Sequence, residues 1–340
     1  MATMSAGKLW GMRRMADASG RFKMTAVDQR PPIINPIAKA RGGKAPWEDV
    51  ARFKAMLVEE LQGESTALLL DPLFAIPRAA TLLDPRKGFI MTLEEHAFVD
   101  TPEGRLSAEI DHWSVEKIKR AGGDAVKVLA WYRPDAGRAV NEKQKDFVKR
   151  VGDACVKYDI PYVFELLVYP LAGEANQTKD YVEMAAKHAD HVLESVRVFA
   201  HADYAVDMFK LESPVPAAGC DGSSKVQALF DEMGRLAGRP WVMLSAGAGM
   251  KEFRAVLEHA YKAGASGYLA GRAIWLKAFG AFPDWEAIRA GLRGEGVDYM
   301  RGLNVLTDAS ATPWHSHPAY GSGVTLENGD ENFRFAYKEF

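Results

Sequence analysis

The 340-residue sequence predicts an α/β protein folded as one closed (β/α)8 barrel. Three observations predict it. Eight short apolar runs recur along the chain, bounded by Gly, Pro or charged residues. Most of them are apolar nearly throughout rather than alternating, which suits parallel strands buried on both faces. Amphipathic stretches of helical period separate most of the runs.

The first run is FKMTAVD (22–28), followed by PWEDVARFKAMLVEELQ, in which Val50, Phe53, Met56, Leu57 and Leu61 recur near i, i+3, i+4 spacing. No G-x-G-x-x-G follows that first run, so an open doubly wound sheet has no support. ALLLDP (67–72) and GFIMTLE (88–94) are the second and third runs, and the link between them is short and proline-punctuated. DHWSVEKIKRAGG then ends in a glycine pair suited to a helix C-terminus. The fourth run, AVKVLAWY (125–132), precedes the helical stretch EKQKDFVKRVGDACVKYDIP. YVFELLV (162–168) and MFKLESP (208–214) are the fifth and sixth; WVMLSAG (241–247), with the helix MKEFRAVLEHAYKAGAS after it, and GYLAGRA (267–273) complete the set. No internal repeat stands out. Residues 1–309 therefore read as a single barrel domain including an N-terminal helix. Residues 310–340 change character, rich in Pro, Gly, His and aromatics, and read as a C-terminal extension packed over the barrel or a neighbouring subunit.

Composition narrows the function. Hydrophobic content of 48% supports a sizeable core, and no low-charge apolar run approaches the roughly 20 residues of a membrane span. The opening MATMSAGKLWGMRRMADASG has no apolar segment followed by a small-residue cleavage site, so no secretory signal is expected. Forty-three basic and forty-five acidic residues leave a net charge of -2, which is no footprint for nucleic acid. The two cysteines, Cys155 and Cys220, form no Cys-x-x-Cys pair, and a reducing, cytoplasmic setting is expected.

In a (β/α)8 barrel the active site lies at the C-terminal ends of the strands. The polar residues there are Asp28-Gln29-Arg30, Asp71, Lys127, Glu165, Lys210 with Glu212, Ser245-Ala246-Gly247 and Gly271-Arg272. Two lysines and a glutamate in three consecutive apolar strands are hard to explain as packing, because an uncompensated buried ion is costly. Schiff-base chemistry needs such a set. An amine attacks a carbonyl only when neutral, and a free lysine at pH 7 is neutral in roughly one molecule in two thousand. Burial and a second nearby cation both favour the neutral form. A carboxylate beside the pair can move protons as a carbinolamine loses water. Glycines and small residues directly after the seventh and eighth runs suit phosphate binding on backbone N–H groups and a helix N-terminus, with Arg272 adding a guanidinium.

Together, AVDQR (26–30), ALLLDP (67–72), AVKVLAWYRPD (125–135), FELLVYP (164–170), FKLESPVP (209–216), LSAG (244–247) and LAGRAIW (269–275) resemble the class I tagatose-1,6-bisphosphate aldolase family, which includes the sulfofructose-phosphate aldolases. The likeness keeps order and spacing from about residue 8 to about residue 318. It implies a TIM barrel that forms an imine between a lysine and a ketose phosphate, with no metal and no cofactor beyond that covalent intermediate. It implies Lys210 as the Schiff-base lysine, Glu165 as the proton-shuttling acid/base and Lys127 as the second lysine. Asp28 would contact the reacting hydroxyls, and Ser245, Gly247, Gly271 and Arg272 would hold the phosphate. Gln29, Arg30 and Asp71 are further candidate substrate contacts. The implied partner is a small-molecule ketose phosphate, without nucleic acid or membrane, and the implied assembly a homo-oligomer.

The expected reaction is cleavage of a ketose 1-phosphate, tagatose 1,6-bisphosphate, to dihydroxyacetone phosphate and an aldehyde such as glyceraldehyde 3-phosphate. WYRPD (131–135) departs toward the sulfosugar branch, so 6-deoxy-6-sulfofructose 1-phosphate, giving sulfolactaldehyde, is the alternative substrate. A non-catalytic sugar-phosphate-binding regulatory barrel is the alternative of another class. A metal-dependent aldolase would need histidines at strand ends, and the eight runs contain none. His188 and His191 read as solvated helix positions, His315 and His317 as surface or interface residues, and Glu94-Glu95-His96 as solvated loop charge. Trp131, Tyr132 and Trp241 read as core or site wall.

Overall fold

The structure is a computed structural model that describes residues 1–174, 184 and 187–337. Eight parallel strands close into a barrel in chain order: β1 (Phe22–Ala26), β2 (Ala67–Leu70), β3 (Gly88–Thr92), β4 (Ala125–Trp131), β5 (Tyr162–Leu167), β6 (Met208–Leu211), β7 (Trp241–Met243) and β8 (Gly267–Ala270). β8 returns to β1 with Gly267 opposite Phe22 and Ala270 opposite Thr25. The expected α/β barrel is the observed one, and each strand falls within one of the eight apolar runs. The ladders stop a few residues before the runs do, where the polar strand-end residues begin.

Alternation within the strands divides core from site. In β4, Val126, Val128 and Ala130 pack outward against the helices, in one continuous layer with Phe164, Phe209 and Tyr268. Ala125 joins Met24, Leu69, Ile90, Val163, Met208, Val242 and Leu269 in a separate apolar cluster that fills the lower barrel. Leu129, Trp131, Leu167 and Leu244 form a third cluster at the mouth. Between the two inner clusters Lys127, Glu165 and Lys210 point into the barrel, and this inward placement follows from the period of two.

Helices cover the outside. Pro31–Ala40 and Trp47–Leu61 follow β1, Arg138–Lys157 follows β4, and Ala189–Phe199, Ser224–Ala237, Met250–Lys262 and Arg272–Phe279 follow the last four strands. The faint pattern between β2 and β3 corresponds to a helix of five residues, Ala75–Ala79, with Pro77 inside it. After β3 a small hairpin, Val99–Thr101 with Gly104–Leu106, precedes the short helix Val115–Arg120. Ser114 Oγ caps that helix by accepting from the Lys117 N–H at 3.2 Å.

The N-terminal end of the barrel is sealed by both chain ends. Met12 and Met15 of helix Ala6–Met15, and Trp314 of the tail, pack into the lower apolar cluster. A Cβ at Gly7 would lie 2.0 Å from the Asp159 carbonyl oxygen, and one at Gly11 2.2 Å from that of Asp124, so only glycine lets this helix approach so closely. The tail crosses beneath β1 and β8: Trp314 N donates to Gly20 O at 2.8 Å and Thr312 N to Ala265 O at 3.0 Å. Its strand Val324–Leu326 then pairs in parallel with Ala2–Met4. The described tail thus lies at the end opposite the strand C-termini. Among the described residues no helix is long and apolar enough to cross a membrane, and both cysteines are free thiols.

Candidate active site

Strand register brings the charged residues together. Glu165 of β5 lies opposite Lys210 of β6, so their side chains leave the wall at one level. Lys127 lies opposite Val163, one inward level lower, and its side chain rises to meet them. Lys210 Nζ donates to Glu165 Oε2 at 2.8 Å. The same oxygen lies 2.8 Å from Lys127 Nζ. Lys127 also donates to Asp28 Oδ2 at 3.0 Å and to Glu94 Oε1 at 2.5 Å. Arg30 extends the chain of charges, donating to the Glu94 carbonyl at 3.2 Å with its guanidinium 3.7 Å from Glu94 Oε1.

The side chains of Lys127, Glu165 and Lys210 are 2%, 7% and 5% exposed, so each charge relies on its partners rather than on water. Burial alone would raise the Glu165 carboxyl, but the Lys127 and Lys210 ammonium groups outweigh it and hold the carboxyl below its ordinary value. Burial likewise opposes ionisation of Asp28, and Lys127, Lys210 and Arg30 together hold its carboxyl well below the usual carboxylate range.

Above this cluster opens a recess lined by Asp28, Gln29, Arg30, Lys127, Glu165 and Lys210 on the charged side and by Leu167, Leu244 and Leu269 among its apolar walls. Its far flank is Ser245, Ala246, Gly271 and Arg272. Gly271 precedes helix Arg272–Phe279. A Cβ there would come within 2.5 Å of Ala26 O and 2.8 Å of Gln29 Nε2, so glycine is required for the helix to begin at the rim. The first N–H groups of a helix have no intrahelical acceptor and favour an anion. Gly247 has φ +87°, and a Cβ there would sit 3.2 Å from the Arg272 guanidinium. Its backbone backs Arg272 rather than lining the recess itself. Asp28 Oδ1 and Gln29 Oε1 are buried and take no hydrogen bond from the described residues, which leaves two acceptors for a bound hydroxyl or amine.

Asp71 is a correction. Read from the sequence as a candidate substrate contact, it is fully buried behind the recess and ion-paired with Lys54. The chain turns away from the barrel axis after β2, and Asp71 Oδ1 accepts from the Leu73 and Phe74 N–H groups at 3.0 and 2.8 Å. Glu212 also lies off the recess, accepting from Val168 N at 2.7 Å and from Lys187 Nζ at 3.1 Å.

Glu94 moves the other way: read as loop charge, it is 1% exposed and bound to Lys127. Thr92 Oγ1 donates to its second oxygen at 2.7 Å. The signal for it was parity, since Ile90 and Thr92 face the barrel interior and Glu94 is the next residue of that phase. His191 lies on the outer helix Ala189–Phe199 with His188 just before it, and His317 packs beneath the barrel. Among the described residues no group of three His, Cys, Asp or Glu side chains is arranged to hold a metal ion.

A family model described as DeoC/LacD family aldolase matches residues 22–277. The chain is 30% identical over 336 residues to a tagatose 1,6-diphosphate aldolase 2 from Enterococcus faecalis, covering 95% of this chain and 100% of that one. It is equally 30% identical over 336 residues to a tagatose 1,6-diphosphate aldolase from Listeria monocytogenes, covering 95% and 97%. Among solved structures, fructose-bisphosphate aldolase from Plasmodium falciparum superposes with a TM-score of 0.64 at 12% identity, covering 89% of this chain and 94% of that one. An archaeal fructose 1,6-bisphosphate aldolase superposes with a TM-score of 0.59 at 19% identity, covering 88% and 98%. At these identities the structural likeness is one of fold.

The lowered carboxyls set a pH dependence. Their unfolded-state values lie near pH 4 (about 3.9 for Asp and 4.3 for Glu). A carboxyl whose folded value is depressed contributes stability that is complete above that range and is lost as pH falls through the folded value. The variant Asp28→Asn/Glu165→Gln lacks both contributions. Calorimetric thermal midpoints of wild type and variant should therefore stand furthest apart near neutral pH and converge below about pH 4. A gap independent of pH would show that the two carboxylates are not held ionised by their partners.

Proposed function

The chain belongs to the DeoC/LacD family of aldolases, and from that premise we propose that it is a class I enzyme, independent of metal, that cleaves a ketose 1-phosphate through an imine on Lys210. As a member of that family it is a carbon–carbon lyase, which removes the non-catalytic sensor as a reading. The observation that carries the proposal is the single Glu165 oxygen lying 2.8 Å from both Lys210 Nζ and Lys127 Nζ at the barrel mouth.

In this reading Glu165 takes the Lys210 proton, and the neutral amine forms a C–N bond to C2 of the ketose. Glu165 returns the proton to the departing oxygen as the carbinolamine loses water. The resulting iminium accepts the electron pair of the C3–C4 bond. Asp28, with Oδ1 facing a substrate hydroxyl, removes the C4 hydroxyl proton, so that the bond breaks and an aldehyde leaves. Return of that proton to C3 of the enamine, then addition of one water at C2 to hydrolyse the imine, release dihydroxyacetone phosphate and restore the lysine and the Asp28 carboxylate. Lys127 has no proton to give in this scheme. Held by Asp28, Glu94 and Glu165, it keeps the carboxylates fixed and adds positive charge where the substrate oxygens lie. Ser245, the backbone at Gly271, and Arg272 hold the C1 phosphate, with Gly247 behind Arg272. Gln29 and Arg30 face the sugar chain.

Tagatose 1,6-bisphosphate is the proposed substrate, supported by the names of the relatives that match along nearly the whole chain. The sulfosugar alternative rested on WYRPD, and the geometry weakens it. Arg133 donates to Asp135, Glu174 and the Tyr169 carbonyl, and it does not line the recess. A sugar phosphate fits the cytoplasmic setting expected from composition.

Lys210→Met should reduce turnover to background with the fold retained. Glu165→Gln should lose about 100- to 10,000-fold in kcat. Wild-type turnover should survive EDTA. Near-normal cleavage by Lys210→Met, or a large loss in EDTA, would overturn the imine mechanism. In a panel of tagatose 1,6-bisphosphate, fructose 1,6-bisphosphate and sulfofructose 1-phosphate, kcat/KM should be highest for a bisphosphate. A preference for the sulfonate would reassign the substrate while leaving the mechanism intact.

A further inference from the structure

We propose that the buried Lys54–Asp71 ion pair is a positioning device for the active site, holding the end of β1 so that Asp28 meets both Lys127 and the substrate. The inference rests on the aldolase reading given above.

Lys54 lies on helix Trp47–Leu61, on the face it buries against the barrel with Val50, Phe53, Leu57 and Val58. The side chains of Lys54 and Asp71 are both 0% exposed. Lys54 Nζ donates to Asp71 Oδ2 and, at 2.8 Å, to the carbonyl oxygen of Val27. That carbonyl belongs to the peptide unit whose N–H is Asp28's, so Lys54 fixes the plane from which Asp28 departs. The ladder cannot do this, because β1 ends at Ala26. Val27 N still donates to Leu69 O at 2.9 Å on β2. Lys54 supplies the next contact outward, from the helix side. Asp71 anchors Lys54 in turn, because its other oxygen is fixed by the two N–H groups of the turn after β2.

A purely structural role explains this arrangement poorly. Replacing a buried ion pair with apolar residues of similar volume is often neutral or stabilising. Burial pushes the Lys54 ammonium down, and Asp71 beside it opposes the shift, so the pair keeps a charge in the core at a cost. The return is geometric. Asp28 Oδ2 contacts Lys127 at 3.0 Å while Oδ1 accepts from no described residue. A small rotation of the Val27–Asp28 peptide would lose the Lys127 contact and aim Oδ1 away from the recess. Misplacement of a reacting group by about 1 Å can cost on the order of 100-fold in rate.

Lys54→Met and the apolar pair Lys54→Met/Asp71→Leu, each built with Asp28 intact and with Asp28→Ala, test the proposal. The apolar pair should keep a thermal midpoint at or above that of the wild type. Both variants should lose about tenfold or more in kcat, with KM changed less than about threefold. With Asp28→Ala already in place the same changes should cost less than about threefold, because the group they position is gone. An undiminished kcat with Asp28 intact, or an equal loss with and without Asp28, would overturn the positioning role. Failure of the wild type to cleave any ketose phosphate would instead sink the aldolase reading. Crystal structures then decide the positioning role by themselves. An Asp28 carboxylate unmoved from Lys127 in the apolar pair contradicts it, and a displaced one supports it.

Discussion

One carboxylate oxygen shared by two buried lysines is the constraint on which the rest of the structure depends. Glu165 Oε2 cannot serve Lys210 and Lys127 at 2.8 Å each unless three adjacent strands hold their register and their inward faces. Lys127 then needs further negative charge, which comes from β1 through Asp28 and from the end of β3 through Glu94. The arrangement is stable only because each ion meets an opposite one and because the level beneath is dry. The apolar lower cluster and the methionines and tryptophan that seal it keep water from the underside. The two chain ends therefore shield the ion cluster from the face opposite the recess.

The eight strands and the lysine–glutamate–lysine set were legible in the sequence because charge inside an apolar run is an anomaly that packing does not explain. Glu94 was not, although parity pointed to it. It is followed by Glu95 and His96, and three polar residues in a row read as loop. Asp71 was misplaced for the opposite reason. A carboxylate at a strand end is expected to face the mouth, but the side it takes depends on how the chain turns after Leu70. Its counter-charge, Lys54, lies between the apolar positions Phe53 and Met56 of a helix. Periodicity identifies the stripe that a helix buries, but it does not show a lysine reaching through that stripe to a strand. The tail carried least local signal. Its parallel pairing joins Ala2–Met4 to Val324–Leu326, contacts that no short pattern encodes.

On the proposed reading, the recess divides the work of binding a two-ended substrate. Backbone and guanidinium groups at the ends of β7 and β8 suit one anion, and the ion cluster suits the carbon chain next to it. The apolar wall of Leu167 and Leu244 leaves that cluster few competing hydrogen-bond partners, which strengthens each electrostatic contact within it. The family match places the chain among aldolases, and the structural likeness is one of barrel fold. The chemistry rests on the strand ends.

The most direct measurement is borohydride reduction of the enzyme during incubation with dihydroxyacetone phosphate, followed by peptide mass mapping. Imine catalysis predicts one stable adduct, of the mass of the reduced ketone phosphate, on the peptide carrying Lys210, with activity lost in proportion. An unmodified Lys210 in fully active enzyme, or an adduct confined to Lys127, would contradict it.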